Sequence, residues 1–185
     1  MRIGIFGGSF NPPHNDHKNI ALELIKNNYL DKVIFVPTGD KYQKKELISA
    51  NMRINMLQLM CENNPNLEVS DYETKNKLTY TYETLDYFKN KYPNDTIYFI
   101  CGSDNLKEFK TWKNYKYILD NYKIIVKRRN NDQLDSIIAD INSNNIIKVN
   151  IKTNNISSTM IRTNLDEKYL DENVYNYIKK YKLYI

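Results

Sequence analysis

A chain of 185 residues with 41% hydrophobic and 26% charged side chains is of ordinary single-domain length, long enough to bury a sizeable core, which excludes a disordered chain. Its formal charge of +5 suits a binder of polyanionic small molecules but is too dispersed to require nucleic acid, and most of its lysines read as a solvated face. No apolar run reaches the about 18 residues of a membrane span, no signal sequence is expected before the first strand, and Cys61 and Cys101 form no C-x-x-C pair. The expectation is a cytoplasmic protein with buried reduced thiols and no membrane or nucleic-acid partner.

Residues 2–6 (RIGIF) form a short apolar run suited to a strand buried on both faces of a parallel sheet. Gly7 and Gly8 are expected to end that strand, letting backbone N–H groups approach an anion and the chain turn sharply. Asn11-Pro12-Pro13 delays the helix, because a residue before proline is pushed out of the α region. The helix then starts near His14 to Asp16, with Ile20, Ala21, Leu24 and Ile25 on one face. Strand, glycine turn and a helix N-terminus bearing His14 and His17 make a phosphate-site pattern. The same residues also fit an ordinary Gly-Gly turn followed by two solvated histidines. A zinc site is disfavoured, since no carboxylate or cysteine cluster completes H-x-x-H, and no metal ligand set is expected.

Residues 31–37 read as a second strand parallel to the first, ended by Pro37. A polar stretch with Lys41, Lys44 and Lys45 leads to a helix over 50–62, where Met52, Met56, Leu59 and Met60 recur at core spacing. A weaker strand over 67–70 precedes a helix within 77–85 capped by Thr79, with Leu85 and Phe88 inward. Residues 96–101 form a central strand that delivers Gly102 and Asp104 to the sheet edge. Asp104 is suited either to accepting ribose hydroxyls or to capping the next helix. Trp112, the single tryptophan, is either core or a flat stacking platform. Residues 123–128 make a strand ending in a basic pair, 132–141 an amphipathic helix, and 146–150 a last strand. Ser157 or Ser158 then caps a helix with Arg162 one turn in, where hydroxyls, free amides and a guanidinium converge to grip a phosphate chain. Residues 174–184 close the chain as a packed helix and tail. Strands alternating with helices predict a single α/β domain over 1–185: a doubly wound, Rossmann-like, mostly parallel sheet with helices on both faces.

Two blocks at opposite ends of the chain carry a resemblance. GGSFNPPHNDH, from Gly7 to His17, resembles the G-G-[ST]-F-[DN]-P-x-[HT]-x-x-H signature of the nucleotidylyltransferases, which join a nucleoside monophosphate to a phosphorylated acceptor. ISSTMIR, from Ile156 to Arg162, is similar to the ISSTxIR block of the pyridine mononucleotide adenylyltransferases, and TYTYETL and GSDNL…TW resemble two further blocks of that group. One departure stands out: bacterial members usually carry glycine before the second histidine, and Asp16 sits there, bringing a negative charge to a phosphate site.

The resemblance implies transfer of AMP from ATP to nicotinate mononucleotide in NAD biosynthesis, with Mg2+ accompanying ATP. It assigns ATP to Gly7, Gly8, Ser9, Phe10, His17, Gly102, Asp104, Ile156, Ser157, Ser158 and Arg162, and catalysis to His14, His17 and Arg162. The acceptor falls to Lys44, Lys45, Tyr80, Thr81, Trp112 and Arg128, and self-association is expected of such relatives. Nicotinamide mononucleotide, another phosphorylated acceptor such as phosphopantetheine, and a nucleotide sensor that has lost turnover are the alternatives. A basic nucleic-acid-binding domain, recognisable by steep salt dependence, is the most distant of them.

Overall fold

The computed structural model describes residues 1–40, 46–76, 79–128 and 133–184. In chain order it runs β1 (Arg2–Gly8), α1 (Asn15–Lys26), β2 (Lys32–Pro37), α2 (Ala50–Cys61), β3 (Leu67–Val69), α3 (Tyr72–Lys75), α4 (Thr81–Lys91) and β4 (Thr96–Gly102). There follow α5 (Ser103–Lys107), a 3-10 turn (Phe109–Thr111), α6 (Tyr115–Asn121), β5 (Lys123–Lys127), α7 (Leu134–Ile141), β6 (Ile146–Val149), α8 (Ser158–Thr163), a second 3-10 turn (Glu167–Tyr169) and α9 (Glu172–Tyr181). Lys44, Lys45, Arg129 and the first residues of two expected helices, Lys77 and Asp132, lie outside the described residues.

The strands make one sheet in the order β3-β2-β1-β4-β5-β6, and every pairing is parallel. Period-2 alternation divides the core between the two faces. Ile3 and Ile5 of β1 pack with Leu85, Phe88, Phe99 and Ile118 on the side of α4 to α7. Phe6 points the other way, with Leu24, Phe35, Met56, Met60, Ile161 and Ile178 on the side of α1, α2, α8 and α9. Cys61 and Cys101 are buried free thiols, one under each face. No helix among the described residues is long and apolar enough to cross a membrane.

Gly7 and Gly8 do not stop β1 at Phe6; they are its last two residues. They stay in register with Val36 and Pro37 of β2, and neither has positive φ. The sharp turn comes at Phe10, whose φ is 46°, just before a cis Asn11–Pro12 bond. Gly4 is closely packed: a Cβ there would lie 2.4 Å from Leu30 Cδ1 and 2.6 Å from Ile100 Cδ1, so those side chains would have to shift to admit one. The loop after α1 thereby sits tightly on the central strand. Thr79 is not the cap of α4 either. Tyr80 holds that position, and its backbone N–H donates to Glu83 Oε2 at 2.8 Å.

After β1 the chain winds outward through β2 and β3, then returns across the sheet to β4 on the other side of β1. The carboxyl ends of β1 and β4 therefore flank the point where the winding reverses, where such sheets leave a crevice for ligands.

Candidate active site

The crevice is a cleft of about 740 Å³, within the usual range of small-molecule sites. Its floor is the β1–α1 loop, which several distant segments hold. Arg53, fully buried on α2, donates to Ser9 O (2.9 Å), Ile48 O (3.0 Å) and Asp40 Oδ1 (2.9 Å). Asn11 donates to Glu46 O (2.9 Å) and accepts from the Tyr184 hydroxyl (2.8 Å). The Thr38 N–H donates to Gly8 O at 2.9 Å, extending β2's grip one residue past the strand. In the sequence Arg53 is masked by the methionine-rich face of α2. It is the main fixture of the loop that sequence reasoning missed.

His14 and His17 are not solvated; they are 1% and 8% exposed. Their rings stack, with centroids 3.7 Å apart. His17 also meets the Phe10 ring edge-on at 4.9 Å and Phe6 at 5.9 Å, so its orientation is fixed by aromatic packing. The His14 backbone N–H donates to His17 Nδ1 at 3.2 Å. That nitrogen therefore carries a lone pair, and the hydrogen of the neutral ring sits on Nε2.

Residues from the far end of the chain close the cleft on the same side. Ser157 caps α8, its hydroxyl accepting from Met160 N at 3.2 Å. Ser158 Oγ donates to Pro12 O (2.8 Å) and Arg162 Nη1 to Asn11 O (2.8 Å), so both side chains already face the β1–α1 loop. Arg162 Nε also lies 3.5 Å from Glu46 Oε2. Ile156 is different: it does not line the cleft, its side chain is buried in the core and its backbone N–H donates to Asp16. Asp16 does not point its charge into the cleft. Its two carboxylate oxygens accept the backbone N–H groups of Asn154 (3.1 Å) and Ile156 (3.0 Å).

At the other end, Tyr80 and Thr81 at the start of α4 face Trp112 and Lys113. Trp112 packs against Phe99 (5.8 Å, 66°) and Phe109 (5.2 Å, 49°), and Lys113 Nζ lies 4.3 Å from the centre of the Tyr80 ring. Gly102 and Asp104 line the cleft from the end of β4, with Gly102 in the cap position of α5 and Asp104 in its first turn. Arg128 does not line it: the guanidinium points to Asp135 at 3.3 Å, outside the cleft. The cation of that pair that does is Lys127, buried, hydrogen-bonded to the Thr153 hydroxyl and paired in register with Gly102. β5 ends at Lys127, so the strand boundary is the signal that separates the two.

Glu73 is an unanticipated carboxyl of the cleft. Burial pushes it up to about 7, against the opposing hydrogen bond from Thr84 Oγ1 at 2.7 Å. Between its ordinary value of 4.5 and about 7 the folded chain keeps a proton that the unfolded chain has released. Its contribution to stability is therefore fully present below pH 4.5 and is lost as pH rises to about 7. Glu73→Gln keeps the shape and the acceptor for Thr84, and is expected to be more stable than the parent at pH 8 by about 2 kcal/mol, with little difference at pH 4. Urea titrations across that range check it; parallel pH–stability curves for the two proteins would exclude a buried, proton-holding Glu73.

Comparison with known proteins agrees with this arrangement. The profile of the cytidylyltransferase-like family matches residues 5–164, which contain both blocks of the cleft. A Clostridium tetani protein named "Probable nicotinate-nucleotide adenylyltransferase" is 38% identical, covering 97% of each chain. A Fusobacterium nucleatum protein of the same name is 40% identical over 91% of this chain and 89% of its own. Among solved structures, the Plasmodium falciparum nicotinic acid mononucleotide adenylyltransferase complexed with NaAD superposes with a TM-score of 0.84 at 26% identity, covering 99% of this chain and 97% of that one. With the family profile, the full-length relatives and the paired-block cleft in agreement, the chain belongs to the cytidylyltransferase-like family and, within it, to the nicotinate-nucleotide adenylyltransferases.

Proposed function

We propose that this protein transfers the AMP moiety of ATP to nicotinate mononucleotide, forming nicotinate adenine dinucleotide and pyrophosphate in cytoplasmic NAD biosynthesis. The observation that carries the reading is convergence. The histidine pair at the start of α1 and the Ser158–Arg162 clamp of α8, about 140 residues apart, meet over one loop at the switch point, and an aromatic pocket lies at the other end of the cleft. A polyanion at one end and a flat ring at the other is the shape of a pyridine mononucleotide joined to ATP.

A phosphate oxygen of the acceptor attacks the α-phosphorus in line. The bond from that phosphorus to the oxygen bridging to the β-phosphate breaks, and pyrophosphate leaves with the electron pair. The acceptor phosphate is already an anion, so the step needs neither a general base nor a covalent enzyme intermediate. What the protein contributes is alignment and charge stabilisation. His17 donates from Nε2 to the α-phosphate, with His14 stacked behind it. Ser158 and Arg162 exchange the carbonyls of Pro12 and Asn11 for the oxygens of the leaving pyrophosphate, and Lys127 adds positive charge from the sheet side. Gly7, Gly8, Ser9 and Phe10 bring backbone close to the nucleotide, and Asp104 accepts its ribose hydroxyls. Tyr80, Thr81 and Trp112 hold the pyridine ring.

Magnesium enters as part of the Mg–ATP substrate. The cleft's carboxylates, Glu73, Asp104 and Glu108, belong to no cluster among the described residues that could hold a metal ion, which suits a cation held by phosphate oxygens and its own water. The test is pyrophosphate release with magnesium and ATP, run in parallel with nicotinate and nicotinamide mononucleotides. Turnover is expected with the nicotinate compound and is expected to vanish on chelation of magnesium. A folded protein that binds ATP yet turns over neither compound would overturn the reading.

A further inference from the structure

Asp16 occupies the second residue of α1, next to His17, yet it does not line the cleft and its carboxylate is taken up by a turn from the far end of the sequence. It is 4% exposed. One oxygen accepts the N–H of Asn154 and the other that of Ile156, while the residue between them, Asn155, has a left-handed φ of 54°. Successive backbone N–H groups converging in such a turn form a concave donor site for an anion. Here a side chain of the protein itself fills it. Beyond Ile156 come Ser157 and Ser158, which open α8 and reach the β1–α1 loop through Ser158 Oγ.

We propose that Asp16 is a positioning residue for nucleotide binding: by seating the 154–156 turn on α1, it fixes the start of α8, and with it Ser158 and Arg162, over the β1–α1 loop before any nucleotide arrives. The proposal rests on the adenylyl-transfer reading and adds to it. It also gives the negative charge beside a phosphate site a physical role, since two backbone donors are spent on the carboxylate at hydrogen-bonding distance. Without that anchor the turn has its donors satisfied by water, and a part of the population holds α8 away from the loop. The apparent affinity for the nucleotide then falls in proportion to the competent fraction. The aromatic end of the cleft, built from α4 and the segment after β4, is untouched.

The experiment compares the parent protein, Asp16→Asn and Asp16→Ala by calorimetric titration with magnesium and an α,β-methylene analogue of ATP, and separately with nicotinate mononucleotide. Loss of hydrogen bonds to a charged acceptor predicts a Kd for the analogue raised about ten-fold in Asp16→Ala and by less in Asp16→Asn, whose amide oxygen can still accept one of the two N–H groups, with mononucleotide affinity close to the parent's and a lowered Tm in both variants. Hydrogen exchange of the parent protein supplies a readout that requires no variant. The amides of Asn154 and Ile156 are expected to exchange far more slowly than those of Asn155 and Lys152, and to lose that protection in Asp16→Ala. Parent amides that all exchange at one fast rate overturn the anchoring. Analogue affinity unchanged in a folded Asp16→Ala, or an equal loss for both ligands, overturns the positioning role. A parent protein that binds no nucleotide overturns the adenylyl-transfer reading, and the proposal with it.

Discussion

His17→Ala lowers kcat/KM for adenylyl transfer by about 10²–10³-fold, the usual consequence of deleting one preorganised donor to a developing oxyanion. The size of the effect follows from how firmly the ring is held. Phe6 and Phe10 pack its sides, His14 stacks on it, and its Nδ1 is engaged by the His14 backbone, so Nε2–H needs little reorganisation at the transition state. Alanine also strips the His14 N–H of its acceptor and opens a small void, at an expected stability cost of about 1–2 kcal/mol. His17→Asn separates the two effects, because a side-chain oxygen can still accept from the His14 N–H. It should recover much of the stability and little of the rate. Steady-state kinetics beside a urea titration decide the matter: a folded His17→Ala within about three-fold of the parent would remove His17 from the reaction.

The parts of the fold that were legible in the sequence are those that announce themselves locally. β1, β2, β4 and β5 are the central strands, buried on both faces, and each reads as a continuous apolar run. α3 was not legible, because four residues carry no period, and α6 places only Ile118 and Leu119 inward among polar neighbours. Within the site, the glycine loop, the histidine pair and the Ser-Ser-Thr cap are short-range patterns that survive without the fold. Arg53 and Asp16 do not work that way. Their partners lie 44 residues away at Ser9 and 140 at Ile156, so the same letters on an isolated helix read as a solvated arginine and a misplaced charge. Lys127 and Arg128 differ by one position. Only the register of β5 against β4 decides which of them turns into the cleft.

Arg53→Met is expected to cost about 3 kcal/mol of stability and more than ten-fold in kcat/KM, although Arg53 touches no substrate. The guanidinium is completely buried while its carboxylate partner, Asp40, is 56% exposed. That ion pair is consequently screened and contributes little, and burial already lowers the Arg53 pKa from its ordinary value by disfavouring the charge, with Asp40 opposing the shift. Most of the effect belongs to the other two hydrogen bonds, to the carbonyls of Ser9 and Ile48. Methionine fills the space but leaves both acceptors unpaired in a dry interior, and it frees the β1–α1 loop from the segment that precedes α2. Arg53→Lys should not restore the loop, because a single ammonium cannot reproduce a planar fork that reaches three acceptors on three segments. The two variants would then lose activity together while differing in stability. An Arg53→Met protein that unfolds within about 1 kcal/mol of the parent and keeps its rate would mean that the loop carrying Ser9 holds its shape through Asn11, Thr38 and the α8 clamp alone.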